Sequence, residues 1–122
     1  MEYAARGGKN SRKYKYSGSY VIDAVAWYTS NSGSSTQPMK QKRANELGLY
    51  DMSGNVCEWC SDWYGTYSSS MQNNPTGPSS GQNRVSRGGG WDTDTQCRVS
   101  FRIFSGPLGR FGFDGFRVVC LP

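Results

Sequence analysis

Apolar and polar positions follow no long regular rhythm along this chain, so the elements they predict are short. Residues 2–6 (EYAAR) read as the last turn of a helix closed by Gly7 and Gly8, since glycine ends helices in the left-handed conformation. Residues 9–20 are polar, basic and tyrosine-bearing, and are expected as loop. The first compact apolar segment is 22–28 (IDAVAWY), where Asp23 begins a short helical turn. Residues 30–38 (SNSGSSTQP) form a flexible connection ended by proline. Residues 46–50 and 55–63 are expected as short strands or turns around a central bend, and 64–83 as a long polar loop with few anchors. Residues 84–91 read as a strand that bends at its glycines. Residues 99–101 and 116–119 read as two more strands, the last apolar and β-rich. Residues 101–114 (FRIFSGPLGRFGFD) hold six large apolar side chains at neither helical nor strand period. Strung along a glycine-rich loop they cannot all reach a core, so at least three are expected in solvent, as at an interaction site. There is no internal repeat, and the pattern alone predicts one small mixed domain over 1–122.

Composition changes this picture little. With 16 glycines, 14% aromatic and 35% hydrophobic residues, 122 residues build a modest core held by aromatic packing rather than long amphipathic helices. No apolar run approaches a membrane span, and the N-terminus shows no signal-peptide apolar region. The formal charge of +5 gathers largely in residues 9–15 and 40–43. Beside Tyr14 and Tyr16 such charge would suit nucleic acid, but solvated basic segments more often serve solubility, and that is the expectation here. There is no histidine, which removes the commonest general base and transition-metal ligand. Cys57 and Cys60 form a C-x-x-C, but no second C-x-x-C completes a zinc site with Cys97 and Cys120. Buried free thiols are expected, with a disulfide only if the protein is secreted.

Candidate chemistry concentrates in residues 45–64, NELGLYDMSGNVCEWCSDWY. Ser-Gly-Asn is strong turn chemistry. The bend would let the Asp51 carboxylate, carbonyls near Gly54 and Val56, and the Glu58 carboxylate converge as hard oxygen ligands for a structural Ca²⁺. The competing reading has Asp51 capping the turn and Glu58 paired with an arginine. Arg87, Arg98, Arg102 and Arg117 lie among apolar neighbours and are expected in ion pairs, with Asp62 and Glu46 as candidate partners.

The same stretch carries a resemblance. NELGLYDMSGNVCEWCSDWYG (45–65) resembles the formylglycine-generating-enzyme family, or sulfatase-modifying-factor domain, whose usual form is GLYDMSGNVWEW. RVSRGGGW (84–91), CRVSFR (97–102) and DGFRVV (114–119) resemble its RV-RGGSW, CR-A-R and GFR blocks, and EYAARGG (2–8) the end of the helix before its core. Cys57 stands where the family has tryptophan, which makes the C-x-x-C incidental. The family domain is about twice as long, so the chain resembles its C-terminal half. The resemblance implies an α+β, C-type-lectin-like fold, loop-rich with short antiparallel strands and little helix.

It also bears on activity. Formylglycine-generating members use a redox-active cysteine pair shortly after the RGGS-aromatic block, with O₂ and copper. Here WDTDTQCRVSFR (91–102) offers Cys97 alone, so no copper is expected and catalysis is not expected either. Branches using iron with histidine ligands fail for want of histidine. Relatives with this fold serve as variable proteins of diversity-generating retroelements, rewritten at adenine-containing codons between RGG-W and GFR. The varied positions there lack Lys, Glu, Gln, Met and Trp. The matching positions here are Asp92, Thr93, Asp94, Phe101, Ile103, Phe104, Ser105, Leu108, Phe111, Phe113 and Asp114, and none is an excluded type. Cys97, Arg98, Arg102, Gly115, Phe116 and Arg117 would be the unvaried frame. The resemblance thus implies a non-catalytic binder of a protein or other macromolecule through residues 92–114, of prokaryotic or phage origin and displayed on a cell or virion surface. The alternatives are a fragment or inactive relative of the enzyme, and an assembly module that oligomerises through an apolar patch.

Overall fold

The computed structural model describes residues 1–120. Regular structure is sparse: one short helix, α1 (Glu2–Ala5), and four strands, β1 (Cys57–Trp63), β2 (Arg84–Arg87), β3 (Arg102–Ser105) and β4 (Asp114–Gly115). They form one mixed sheet in the order β3-β2-β1-β4. The pairs β1–β2 and β2–β3 are antiparallel, whereas β4 runs parallel to β1 with Cys57 opposite Asp114 and Glu58 opposite Gly115. The register of β1 against β2 shifts between Trp59 and Trp63, and such an irregularity adds twist and curls a small sheet. Among the described residues no helix is long and apolar enough to cross a membrane.

The helical expectations at both N-terminal segments hold. Gly7 ends α1 at φ 89°, and Ile22–Ala24 make one 3-10 turn. Two strand expectations are corrected. The expected strand at 99–101 lies three residues later, because Val99 is buried against Ala5 and Met52 and its N–H donates to the Lys15 carbonyl, which takes it out of the ladder. The expected strand at 116–119 is absent, since the ladder with β1 ends at Gly115 and Phe116, Val118 and Val119 lie 79–82% exposed.

Two small apolar clusters make the core, one around Ala5, Met52 and Val99, the other around Tyr16, Val25 and Cys97. Polar side chains bind them into one unit. Ser17 Oγ donates to the Ala5 carbonyl at 2.7 Å, and Asn45 Nδ2 donates to Ser17 Oγ at 3.0 Å and to the Ala4 carbonyl at 2.8 Å. Ser53 Oγ accepts from the Ser17 N–H and donates to the Cys97 carbonyl at 2.8 Å. Buried hydroxyls tolerate this position because each finds a partner.

Candidate functional site

The central bend follows from three successive demands on the backbone. Asp51, Gly54 and Asn55 all take left-handed φ, at 55°, 75° and 66°. A β-carbon on Gly54 would collide with the Trp27 carbonyl oxygen, so only glycine passes there. Asn55 exchanges two 2.9 Å hydrogen bonds with the Gln37 backbone, and its carbonyl accepts from the Trp91 N–H at 2.8 Å. The bend thereby fixes where the segment after β2 begins.

Below the bend stands Glu58, 4% exposed on β1. The guanidinium of Arg117 grips it: Nε donates to Oε2 at 2.9 Å and Nη2 to Oε1 at 2.6 Å. Nη2 also reaches the carbonyls of Tyr50 at 3.0 Å and Asp51 at 3.3 Å, and the hydrogen bond to Glu58 holds the arginine's pKa above its usual value. Asp51 Oδ2 accepts from the Lys40 N–H at 2.9 Å. The expected calcium set of Asp51, Gly54, Val56 and Glu58 therefore does not fit a calcium ion. Its buried carboxylate is already neutralised by a bidentate cation, and its other carboxylate is turned to the Lys40 backbone N–H. Among the described residues no three His, Cys, Asp or Glu side chains group as metal ligands. The competing reading, in which Glu58 pairs with an arginine, describes the geometry.

Two of the other arginines, Arg87 and Arg102, find partners that the sequence did not nominate. Arg87 pairs with Glu2 at 2.9 Å, tying β2 to α1. Arg102 meets no carboxylate among the described residues: its guanidinium lies over Tyr67 at 3.7 Å and Tyr64 at 4.6 Å and donates to the Gly65 carbonyl. Arg98 is exposed. Neither Asp62 nor Glu46 pairs with any of the four; Asp62 accepts from Ser61 and Glu46 from the Arg12 N–H. The loop 64–83 folds back over the sheet under the Arg102 stack, enclosing a cleft of about 1480 Å³ whose lining includes Glu2, Trp59, Tyr67, Arg87, Arg102 and Arg117. No signal in the sequence announces that cleft, because cation–π partners leave no spacing pattern.

The candidate varied positions fall at the two opposite edges of the sheet. At the β3 edge, Phe104 is 54% exposed and leans on Tyr64 at 4.6 Å, with Phe101, Ile103 and Ser105 half-buried. At the β4 edge, Asp92 lies near Phe113 and Asp114. Phe111 stacks on Phe113 with centroids 5.2 Å apart and planes within 3°. A β-carbon on Gly90 would lie 2.8 Å from both Asp92 Oδ1 and Phe113 Cβ, which shows how closely those two residues approach. Both oxygens of Asp114 are out of solvent with no hydrogen-bond partner among the described residues, and burial, then the charge of Asp92, raise its pKa. Leu108 caps the connection at 94% exposure. With Phe104, Leu108 and Phe111 in solvent, the expectation of at least three exposed apolar side chains holds. Trp91 was not nominated, yet its Nε1 donates to the Gly112 carbonyl at 3.2 Å and straps the two loops together.

Burial keeps the Cys57, Cys60 and Cys97 thiols protonated. Cys57, Cys60 and Cys97 are free, and burial, then proximity to Cys57, push Cys97 up to about 12. Burial also raises Cys57 and Cys60. Three residues apart on one strand, Cys57 and Cys60 project from opposite faces and do not form a redox pair.

A small curled mixed sheet, little helix and long loops clamped by arginines define a lectin-like α+β scaffold. The chain belongs to the sulfatase-modifying factor enzyme 1-like domain family, which it matches over residues 1–121. The formylglycine-generating enzyme of Streptomyces coelicolor is 38% identical over 95% of this chain and 43% of its own length. The chaperone protein LppX of Paenibacillus barcinonensis is 42% identical over 74% of this chain and 35% of its own. Among solved structures, Treponema denticola variable protein 1 superposes with a TM-score of 0.86 at 40% identity, over 94% of this chain and 42% of that one. The chain thus spans less than half the length of these relatives, and the fold it shares with them is C-type-lectin-like.

Proposed function

We propose that the chain is a non-catalytic binding domain, a variable protein whose residues 92–114 are rewritten between copies and meet a macromolecular ligand on the surface of a prokaryotic cell or phage particle. The observation that carries this reading is the division of labour within 92–117. Candidate varied positions hold the solvent-facing side chains Asp92, Asp94, Phe104, Leu108 and Phe111, while of the frame residues Cys97 is buried and Arg102 and Arg117 are clamped, with Arg98 and Phe116 exposed. Substitution at the first set leaves the second intact, which is what a rewritten surface requires. Aromatic side chains give such a surface contact area at small entropic cost. Likeness to Treponema denticola variable protein 1 supports the same reading.

The second reading, an inactive or fragmentary formylglycine-generating enzyme, draws on the Streptomyces coelicolor relative. Thiolate chemistry needs an ionisable, reachable sulfur. In residues 91–102 the sole cysteine is Cys97, fully buried with a pKa near 12, so the residues present do not fit a copper-thiolate centre.

Sequencing the DNA around the gene tests the proposal. A reverse transcriptase with a near-copy of the 84–119 coding segment that differs at adenines is the expected result. An upstream in-frame half-domain with neither feature, together with oxidation of a cysteine-bearing peptide by the purified protein, would overturn it.

A further inference from the structure

Resting on the proposed binding surface, one part of it carries a ligand class. At the β4 edge Trp91, Asp92, Phe111, Phe113 and Asp114 are drawn together: Asp92 Oδ1 and Phe113 Cβ each lie 2.8 Å from where a β-carbon on Gly90 would sit, the Asp114 N–H donates to the Phe111 carbonyl at 3.0 Å, and Trp91 Nε1 donates to the Gly112 carbonyl at 3.2 Å. Neither carboxylate belongs to an ion pair among the described residues, although the chain is cationic overall at +5. Asp114 is the sharper anomaly, because a carboxylate whose two oxygens are out of solvent and unpartnered is costly unless something neutralises it. Two like charges in one place raise that cost, and a cation placed beside them relieves it. Stacked phenylalanine rings add a second attraction for the same charge.

We infer that this copy of the surface takes a cationic group of its ligand, an alkylammonium or guanidinium, against the Phe111–Phe113 rings with Asp92 as the contacting carboxylate and Asp114 as the buried charge behind it. Asp92 and Asp94 are exposed carboxylates of this segment, Asp23 is held by the Tyr28 hydroxyl and Asn31, and neither the basic side chains of residues 9–15 and 40–43 nor Arg98 and Arg110, the nearest in sequence, form an ion pair with any of them among the described residues. The acidic edge is therefore open to a foreign cation. The class follows from geometry: a carboxylate beside aromatic faces binds a flat or compact organic cation better than it binds a neutral polar group.

Titration of the ¹⁵N-labelled chain with N-acetyl-arginine amide, N-acetyl-lysine amide and the neutral N-acetyl-citrulline amide tests this. The expected result is saturable shifts confined to the amides of residues 91–94 and 111–114 and the Trp91 indole N–H. Citrulline should bind at least tenfold more weakly, and whichever of the two cations binds tighter identifies the group. Asp92→Asn should weaken the cation at least tenfold with the melting temperature unchanged, and Asp114→Asn should weaken it while raising the melting temperature, since its buried charge is gone. Equal shifts with citrulline, shifts elsewhere, or none would overturn the inference. A protein ligand that binds D92N and D114N as well as the parent would also overturn it and leave the binding surface standing, whereas a ligand mapping outside 92–114 would remove the surface itself.

Discussion

Arg117 does for this protein what a metal ion does for other loop-rich domains: it supplies the positive charge about which the Glu58 carboxylate and the carbonyls of Tyr50 and Asp51 are arranged. Removing one partner of such a pair strands the other charge, so Arg117→Met should lower stability by about 3 kcal/mol in urea unfolding. The double variant Glu58→Gln/Arg117→Met should recover most of that loss, and a double variant as unstable as the single would refute the pairing account. Cys97 sets an alkaline limit. Its folded pKa near 12 lies above its ordinary value of 9.0, so the folded state keeps a proton that the unfolded state loses. Stability is then unaffected below pH 9 and falls as pH rises toward 12, by about 1.4 kcal/mol per pH unit at most. Cys97→Ala should flatten that slope in chemical denaturation between pH 9 and 11. Gly54 belongs to the same scale. Gly54→Ala adds a β-carbon against the Trp27 carbonyl at φ 75° and should cost about 3 kcal/mol, read as a fall in melting temperature.

Among the elements, the long loop 64–83 departs most from its sequence. Read residue by residue it has turn formers and few anchors, yet Arg102 roofs it through Tyr64 and Tyr67, and Gly81 lies against the Trp63 ring. Both contacts join residues far apart in the chain and follow no period, so local reading cannot find them. Arg102→Lys keeps the charge but loses the planar stack. Amide exchange across 64–83 should then quicken about tenfold, in line with roughly 1–2 kcal/mol for a stacked guanidinium. What was legible was the chemistry that acts locally: the glycine stop of α1, the Ile22–Ala24 turn, the bend at Gly54 and the strands at 57–63 and 84–87. The strands at 99–101 and 116–119 were misread for one reason. Apolar β-formers mark burial or exposure to a partner as readily as they mark a ladder, and only tertiary placement separates Val99 in the core from Val118 in solvent. At the site, the exposed apolar positions could be read from their lack of period, whereas the meeting of Asp92 with Phe113 and Asp114 required the sheet order.

For the molecule as a whole, the scaffold and the surface should be separable in stability. Replacing Phe104, Leu108 and Phe111 together by serine or tyrosine removes side chains that are half or more in solvent, and should cost no more than about 1.5 kcal/mol. Cys97→Asp alone, which places a charge in a fully buried position, should cost more than all three combined. Thermal unfolding of the two variants side by side checks this, and the reverse order would mean that the loops hold up the core.

The sheet order sets a further limit. Both β3 and β4 run parallel to β1 and lie at opposite edges, so residues 106–113 must cross the full width of the sheet and return from the level of Trp63 to that of Cys57. That path is about 14 Å sideways and 20 Å back, some 24 Å in a line, against a reach of about 32 Å for nine fully extended Cα steps. Turns at Gly106–Gly109 and Phe111–Asp114 take up much of the slack. Shortening such a tether would unseat a strand, whereas exchanging its side chains would not. Under the proposed binding function, change across 106–113 is therefore expected by spelling rather than by deletion.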